Sequence, residues 1–239
     1  MTTSTAGGDY DAYPEQFARN VDWRERGGPE ADPFGILPSL LDLLGDVRGR
    51  RVLDAGCGEG YLSRVLAARG ALVTGADIAP SLVEQARQKG PSGIDYRVAD
   101  LSEQQPGLAC SFDLVASYLV LNDVPGYQGF AATIAAALVP GGSAVLAFNN
   151  PYAGVVRGHA TDYFATGIRS PYRGLWAAGI RAYFYHRTLE EYLDAFLGAG
   201  LCLVKLADLP ALAGEHRPDG LIPDGYRFPR FMILALTRP

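Results

Sequence analysis

The densest group of chemistry-bearing residues in the chain is Val52-Leu-Asp-Ala-Gly-Cys-Gly-Glu-Gly-Tyr61. An apolar run ends in an acid, Asp54. Glycines then alternate at 56, 58 and 60, and a helix-like pattern follows. Such a turn lets the backbone bend tightly and come within contact of a ligand, because no Cβ intervenes. The open N–H groups at the helix start favour an anionic group such as a carboxylate. Asp54, at the strand end, is placed to hold a cationic or polar group. Dinucleotide enzymes use the same logic, but the spacing here is G-x-G-x-G and not G-x-G-x-x-G. No Gly-Lys-Ser/Thr follows, which excludes a nucleoside-triphosphate loop. A purely structural glycine turn in another α/β fold is the competing reading.

Two further acids end strand-like runs. Asp77 closes Gly75-Ala-Asp-Ile78 about 20 residues past the turn, where an acid commonly accepts from two ribose hydroxyls; a helix cap before Pro80 is the alternative. Asp100 closes Val98-Ala-Asp-Leu101, and taken alone reads as a cap or turn residue. The histidines are His159, His186 and His216, none paired at i, i+4, and the cysteines are Cys57, Cys110 and Cys202, widely spaced. Neither set has the spacing of a metal site or a disulfide framework, so no metal is expected.

These residues need a frame. From Arg50 to Phe148 strand-like and helix-like segments alternate with short connections: strands over 51–55, 71–76, 94–98, 112–116 and 143–148, helices over 61–69, 80–89 and 130–138. That order predicts a Rossmann-like α/β fold, a mostly parallel sheet with helices on both faces. Right-handed crossovers then put the strand C-termini on one edge, where ligands bind. Residues 151–187 lack clean strand periodicity and are rich in aromatics (Tyr152, Tyr163, Phe164, Tyr172, Trp176, Tyr183, Phe184, Tyr185) and in arginine (157, 169, 173, 181, 187). They read as a lid over that edge. Thr188, with Glu191 three residues on, predicts a capped helix over 189–197. Two closing strands follow, 201–206 and 230–237, for seven in all.

With 48% hydrophobic and 20% charged residues the 239-residue chain reads as one globular domain. No apolar run reaches the roughly 18 residues of a membrane span, and Met1–Gly8 lacks the pattern of a signal peptide, so a cytoplasmic location is expected. A net charge of −5 argues against a nucleic-acid partner.

The Asp-x-Gly-x-Gly-x-Gly run resembles motif I of the class I methyltransferases. Asp77, Asp100, the run Phe112-Asp-Leu-Val-Ala-Ser-Tyr-Leu-Val-Leu121 and the turn Leu138-Val-Pro-Gly-Gly-Ser143 stand in that family's order and spacing. The likeness is strong over about 45–150. It continues loosely through Tyr185-His-Arg-Thr-Leu-Glu-Glu-Tyr192, of a kind found in bacterial small-molecule methyltransferases. The resemblance implies a seven-stranded sheet, S-adenosylmethionine as methyl donor and S-adenosylhomocysteine as product. The small, polar residues 1–8 read as a disordered leader, and the division expected after it is an N-terminal helical cap over 9–48, a cofactor-binding core over 49–150, a substrate lid over 151–187 and a closing helix and strands over 188–239.

Carried over by position, Asp54, Gly56, Cys57, Gly58 and Gly60 would form the methionyl end of the cofactor site. Asp77 would take the ribose, Ile78 would pack on the adenine, and Asp100 and Leu101 would hold the adenine edge. Ser117 would sit near the sulfonium, and Tyr10 and Tyr13 would close over the cofactor, with core packing as the alternative for both tyrosines. A base is needed only if the acceptor must lose a proton. His186 is the first candidate, with Tyr118 and His159 behind it; for His186, anchoring the lid is the rival role. The lid aromatics are candidates for a box around a planar acceptor, with plain packing as the alternative, and its five arginines could meet an acidic acceptor, with solvated helix positions as the alternative for each. Asn149-Asn-Pro-Tyr152 has the letters of an amide-methylating signature but follows the fifth strand, so it is read as a lid hinge. The acceptor implied is a small molecule, and the chain a monomer or homodimer. A cofactor-binding protein that catalyses a non-methylating reaction such as cyclisation, or a methyltransferase acting on protein or RNA, are the alternatives.

Overall fold

A computed structural model describes residues 8–11, 15, 35–156, 162–167, 169–171, 183–209 and 229–239. The main sheet comprises β1 (Arg51–Ala55), β2 (Leu72–Asp77), β3 (Asp95–Val98), β4 (Phe112–Tyr118), β5 (Leu138–Asn149), β8 (Cys202–Leu209) and β9 (Phe231–Thr237). Its order is β3-β2-β1-β4-β5-β9-β8, parallel from β3 to β5, with β9 antiparallel to both its neighbours. The seven-stranded, mostly parallel sheet is therefore as the β/α alternation predicts.

Burial on both faces explains why the strands read as apolar runs instead of alternating ones. In β5, Leu146 and Phe148 meet one layer and Val145 and Ala147 the other. The first layer is α5 (Tyr127–Ala137) against α7 (Leu189–Gly198), through Phe130, Ile134, Tyr192 and Phe196. The second is α2 (Ile36–Leu44) and α3 (Tyr61–Ala68), through Leu40, Leu44, Leu62 and Leu66. Between the strands run α4 (Pro80–Lys89), with Pro at its first turn, and a 3-10 turn at Pro106–Leu108. The α7 cap forms in full: the Glu191 amide donates to the Thr188 hydroxyl and the Thr188 amide to the Glu191 carboxylate.

Three features differ from the sequence reading. The register shifts between Phe112 and Leu114, and this bulge turns Asp113 toward Arg51, 2.7 Å away. The Arg51 side chain and amide hold the Asp113 carboxyl down at about 2. The Pro140-Gly-Gly turn is drawn into β5, with Gly141 donating to the Arg238 carbonyl. The lid range, expected to be without strands, holds a short helix α6 (Pro151–Val156) and a small antiparallel pair, β6 (Arg169–Pro171) with β7 (Tyr183–Tyr185). Three-residue strands are too short for a period-2 signal to stand out. A four-residue helix, α1 (Gly8–Asp11), precedes everything else described.

Candidate active site

The chain runs outward from β1 to β2 and β3, then crosses back to β4, so the crevice of the sheet opens between β1 and β4. At that edge lies a cavity of about 520 Å³. Beyond β1 the turn is pinned by the Gly56 and Cys57 amides donating to the Ala76 carbonyl, at 2.8 and 3.0 Å. Gly56 and Gly60 sit at φ of 82° and 87°. A Cβ on Gly56 would fall inside the Val120 side chain, and one on Gly60 would stand 2.5 Å from the Tyr96 hydroxyl. Only glycine fits either position without displacing a neighbour.

Asp54 is 1% exposed. Its Oδ2 accepts from the Ser63 hydroxyl at 2.6 Å, while its Oδ1 is buried without a partner. Burial pushes the carboxyl up to about 7 against the Ser63 bond, with repulsion from Asp77 and Glu59 adding to the rise. Asp77 accepts from the Gly58 amide at 2.8 Å and the Ala79 amide at 2.9 Å, so both its oxygens are aimed by backbone. Burial raises its pKa, and those two bonds oppose the rise. Asp100 accepts from the Ser102 amide and hydroxyl, closing its own turn. Tyr10 reaches across from α1 to donate to Asp123 at 2.6 Å, and Asp11 accepts from the Ser81 amide and hydroxyl.

The opposite wall is assembled from distant stretches. Leu119 adopts φ 62°, a region costly for a branched-chain residue, and turns the chain after β4 into the cavity wall. Asn122 is a buried clamp. Its Oδ1 accepts from the Asn149 amide at 2.8 Å, its Nδ2 reaches the Tyr192 hydroxyl at 3.3 Å, and its carbonyl accepts from the Tyr185 amide. His186 is buried with Nε2 2.9 Å from the Tyr163 carbonyl. A carbonyl only accepts, so Nε2 carries the proton and Nδ1 is the basic nitrogen, on the Gly154 side. Arg187 donates from Nη2 to the Pro125 carbonyl at 2.7 Å, with its guanidinium over Tyr127 and Tyr185.

Of the residues singled out in the sequence, Asp54, Gly56, Cys57, Gly58, Asp77, Ile78, Asp100, Leu101, Tyr10, Tyr118 and His186 all line this one cavity. Tyr13 and His159 lie outside the described residues. Gly60 and Ser117 are not in its lining. Gly60 packs on Tyr96 beneath the turn, and the Ser117 hydroxyl points into the sheet, donating to the Ala55 carbonyl at 2.8 Å. The expected aromatic box divides. Phe184 and Tyr185 face the cavity, whereas Tyr152 stacks on Tyr163 in an adjoining hollow. Arg187 is 4% exposed, so the solvated reading does not hold for it. Asn149, Asn150 and Pro151 stand in the wall, with Asn150 capping α6 through the Tyr152 amide.

A family model described as "Methyltransferase domain" matches residues 53–146, the stretch from the motif turn to β5. A crystal structure of an S-adenosylmethionine-dependent methyltransferase from Mesorhizobium loti superposes with a TM-score of 0.69 at 28% identity, over 84% of this chain and 96% of that one. Residues 53–146 are thus a methyltransferase domain, and the chain around it is similar in fold to S-adenosylmethionine-dependent methyltransferases. Among curated proteins, the ubiquinone biosynthesis O-methyltransferase of Xanthomonas oryzae pv. oryzae is 36% identical over 159 residues, 62% of this chain and 65% of that protein. The match thus spans a little under two thirds of the relative's length. The (4+2)-cyclase SpnF has the same fold, with a TM-score of 0.68 at 18% identity over all of this chain and 98% of that one.

Several wall residues have no role in the sequence reading: Leu119 and Val120, inside the fourth-strand run, and Asn122 and Asp123, directly after it. That run is the signal that could have found them. Among the described residues no group of three or more His, Cys, Asp or Glu could hold a metal. No described helix is long and apolar enough to cross a membrane.

Proposed function

We propose that this protein transfers the methyl group of S-adenosylmethionine to an oxygen or nitrogen of a small molecule, a bacterial specialised metabolite of planar or quinone-like type. The observation that carries the reading is the unpartnered Asp54 Oδ1 beside the Gly56 cradle, at one end of a cavity whose other end is aromatic and basic. That buried acceptor fits the cofactor's ammonium, and the Gly56–Gly58 backbone fits its carboxylate. Asp77, with its oxygens pre-aimed, takes the ribose hydroxyls; Ile78, Asp100 and Leu101 take the adenine. The cofactor supplies a methyl group already activated by the sulfonium. What remains for the chain is alignment of acceptor, carbon and sulfur, and exclusion of water. The Tyr10–Asp123 bond draws α1 across the cavity mouth. His186, held as the Nε2–H tautomer, offers Nδ1 to take a proton from a phenol or amine. The division into a core over 49–150 and a lid over 151–187 belongs to this reading, as does a cytoplasmic setting.

The O-methyltransferase name of the relative favours oxygen as the nucleophile. A second reading, a rearrangement catalysed without methyl transfer, draws on the likeness to the cyclase, which extends over the whole chain. One experiment separates them: radiolabelled S-adenosylmethionine is offered with panels of phenols and amines, and product and S-adenosylhomocysteine are both counted. Equal amounts support methyl transfer. Acceptor turnover without demethylated cofactor supports rearrangement. Tight cofactor binding with no labelled product across both panels would remove small-molecule methylation.

A further inference from the structure

The cavity is electrically lopsided. Asp54, Glu59, Asp77 and Asp100 stand in its wall on the motif side, Asp123 stands in the opposite wall bonded to the Tyr10 hydroxyl, and the described lysines and arginines of the lining are Arg187 and Arg230 on the lid side. Arg187 is the unusual one. It is 4% exposed, and no carboxylate among the described residues forms an ion pair with it. Its Nη2 donates to the neutral Pro125 carbonyl, and its Nη1 is buried with no hydrogen-bond partner. Tyr127, Tyr185 and Tyr192 surround the guanidinium at 4.4, 5.1 and 6.0 Å. Ring faces offset part of the cost of desolvating a cation, but they do not satisfy an N–H. A buried guanidinium with an open donor is expensive unless something anionic completes it.

We propose that Arg187 is the anion-recognition group of the acceptor site, and that the acceptor carries an oxyanion, a carboxylate or an ionised phenol, that pairs with its guanidinium. Two of its partners, Pro125 and Tyr185, lie in the same wall, so the charge is fixed at the cavity's lid end and not on a swinging side chain. The arrangement sorts charge along the cavity: a cationic cofactor toward the carboxylates, an acidic acceptor toward the arginine. The word acceptor rests on the methyl-transfer reading; the anion site itself does not.

Direct titration calorimetry tests this with pairs of isosteric acids and amides: benzoate against benzamide, 4-hydroxybenzoate against 4-hydroxybenzamide, phenylacetate against phenylacetamide, and phenol above and below its own ionisation. Each is titrated with and without S-adenosylhomocysteine. At least one acid is expected to outbind its amide by about tenfold or more, as a charge-assisted bond implies. Phenol tightening on ionisation with no carboxylate preference would assign the site to phenolates. Arg187→Gln should abolish the preference while leaving amide affinity unchanged, and Arg187→Lys, which keeps the charge, should restore part of it. If Arg187→Gln does not fold, the Lys variant and the wild-type pairs still decide. Equal binding of every acid and amide, with phenol indifferent to ionisation, would make Arg187 a structural staple between Pro125 and the tyrosines and overturn the proposal. Failure of S-adenosylhomocysteine to bind would count against methyl transfer alone, because acid selectivity is read in its absence as well.

Discussion

At one end of the cavity Asp54, Gly56, Gly58 and Asp77 all belong to the β1-α3-β2 unit, and backbone amides from that same unit aim the Asp77 carboxylate. At the other end the contacts join residues far apart in the chain. His186 meets the carbonyl of Tyr163, Arg187 that of Pro125, and Asn122 the hydroxyl of Tyr192, at separations of 23, 62 and 70 residues. The motif end is dictated by backbone geometry and tolerates few residue types. The lid end is dictated by which side chains the fold brings together. A change of acceptor then requires only new side chains at the lid end, while the donor site stays as it is.

If that contrast is right, the motif end should be the more brittle. Replacing Gly56 by Ala places a Cβ within Val120 at φ 82°. Overpacking and left-handed strain together amount to about 2–4 kcal/mol. We expect S-adenosylhomocysteine affinity to fall by more than about a hundredfold and the urea midpoint to drop. Calorimetry beside a denaturation curve reads both, and near-normal binding would show the cradle is not where the ligand sits. Asp77→Asn is subtler. The amide's NH2 must face either the Gly58 or the Ala79 N–H, so one bond is lost with the charge. A fall in affinity of about tenfold to a hundredfold is expected, with less effect on unfolding than Gly56→Ala.

The lid end should respond differently. Asn122→Ala removes the acceptor of the Asn149 amide and the donor to the Tyr192 hydroxyl. Unfolding stability should fall by about 1–3 kcal/mol, with S-adenosylhomocysteine affinity changing by less than about threefold, since the carbonyl bond to Tyr185 survives. Loss of cofactor affinity as large as that of Asp77→Asn would mean the two ends are coupled and the contrast is too sharp.

The same contrast governs what could be read in advance. The sheet, its order of elements and the capping box followed from apolar runs, glycine stops and the Thr188–Glu191 spacing, all local signals. So did the gathering of Asp54, Asp77 and Asp100 at one edge, because parallel strands put their C-terminal residues there. Ser117 shows where local signals stop: strand position sets its depth in the sheet, but only the Ala55 carbonyl decides which way its hydroxyl turns. For Arg187 sequence leaves an acidic acceptor and a solvated position both open, because it carries no sign that three tyrosines from separate elements enclose the guanidinium. The Tyr152–Tyr163 stack, facing away from the main cavity, was illegible for the same reason.

The effect most diagnostic of the motif end is a matter of pH. Burial holds Asp54 at about 7 in the ligand-free fold, above the ordinary 3.8 of an aspartate. A carboxyl raised on folding contributes stability in full below 3.8, and that contribution is lost as pH rises through about 7. The ligand-free protein should therefore lose stability over this window, by about 4 kcal/mol at most from this group, and Asp54→Asn should flatten the loss. An ammonium placed at Oδ1 reverses the balance, favouring the ionised acid. Binding of S-adenosylhomocysteine at pH 6 should then release a proton, visible as a heat that varies with the ionisation enthalpy of the buffer, whereas binding at pH 8 should release none. Affinity should rise with pH up to about 7, by at most about tenfold per unit, and level off above. If the heats at pH 6 are the same in every buffer, or if Asp54→Asn leaves them unchanged, the open oxygen of Asp54 does not meet the cofactor's ammonium.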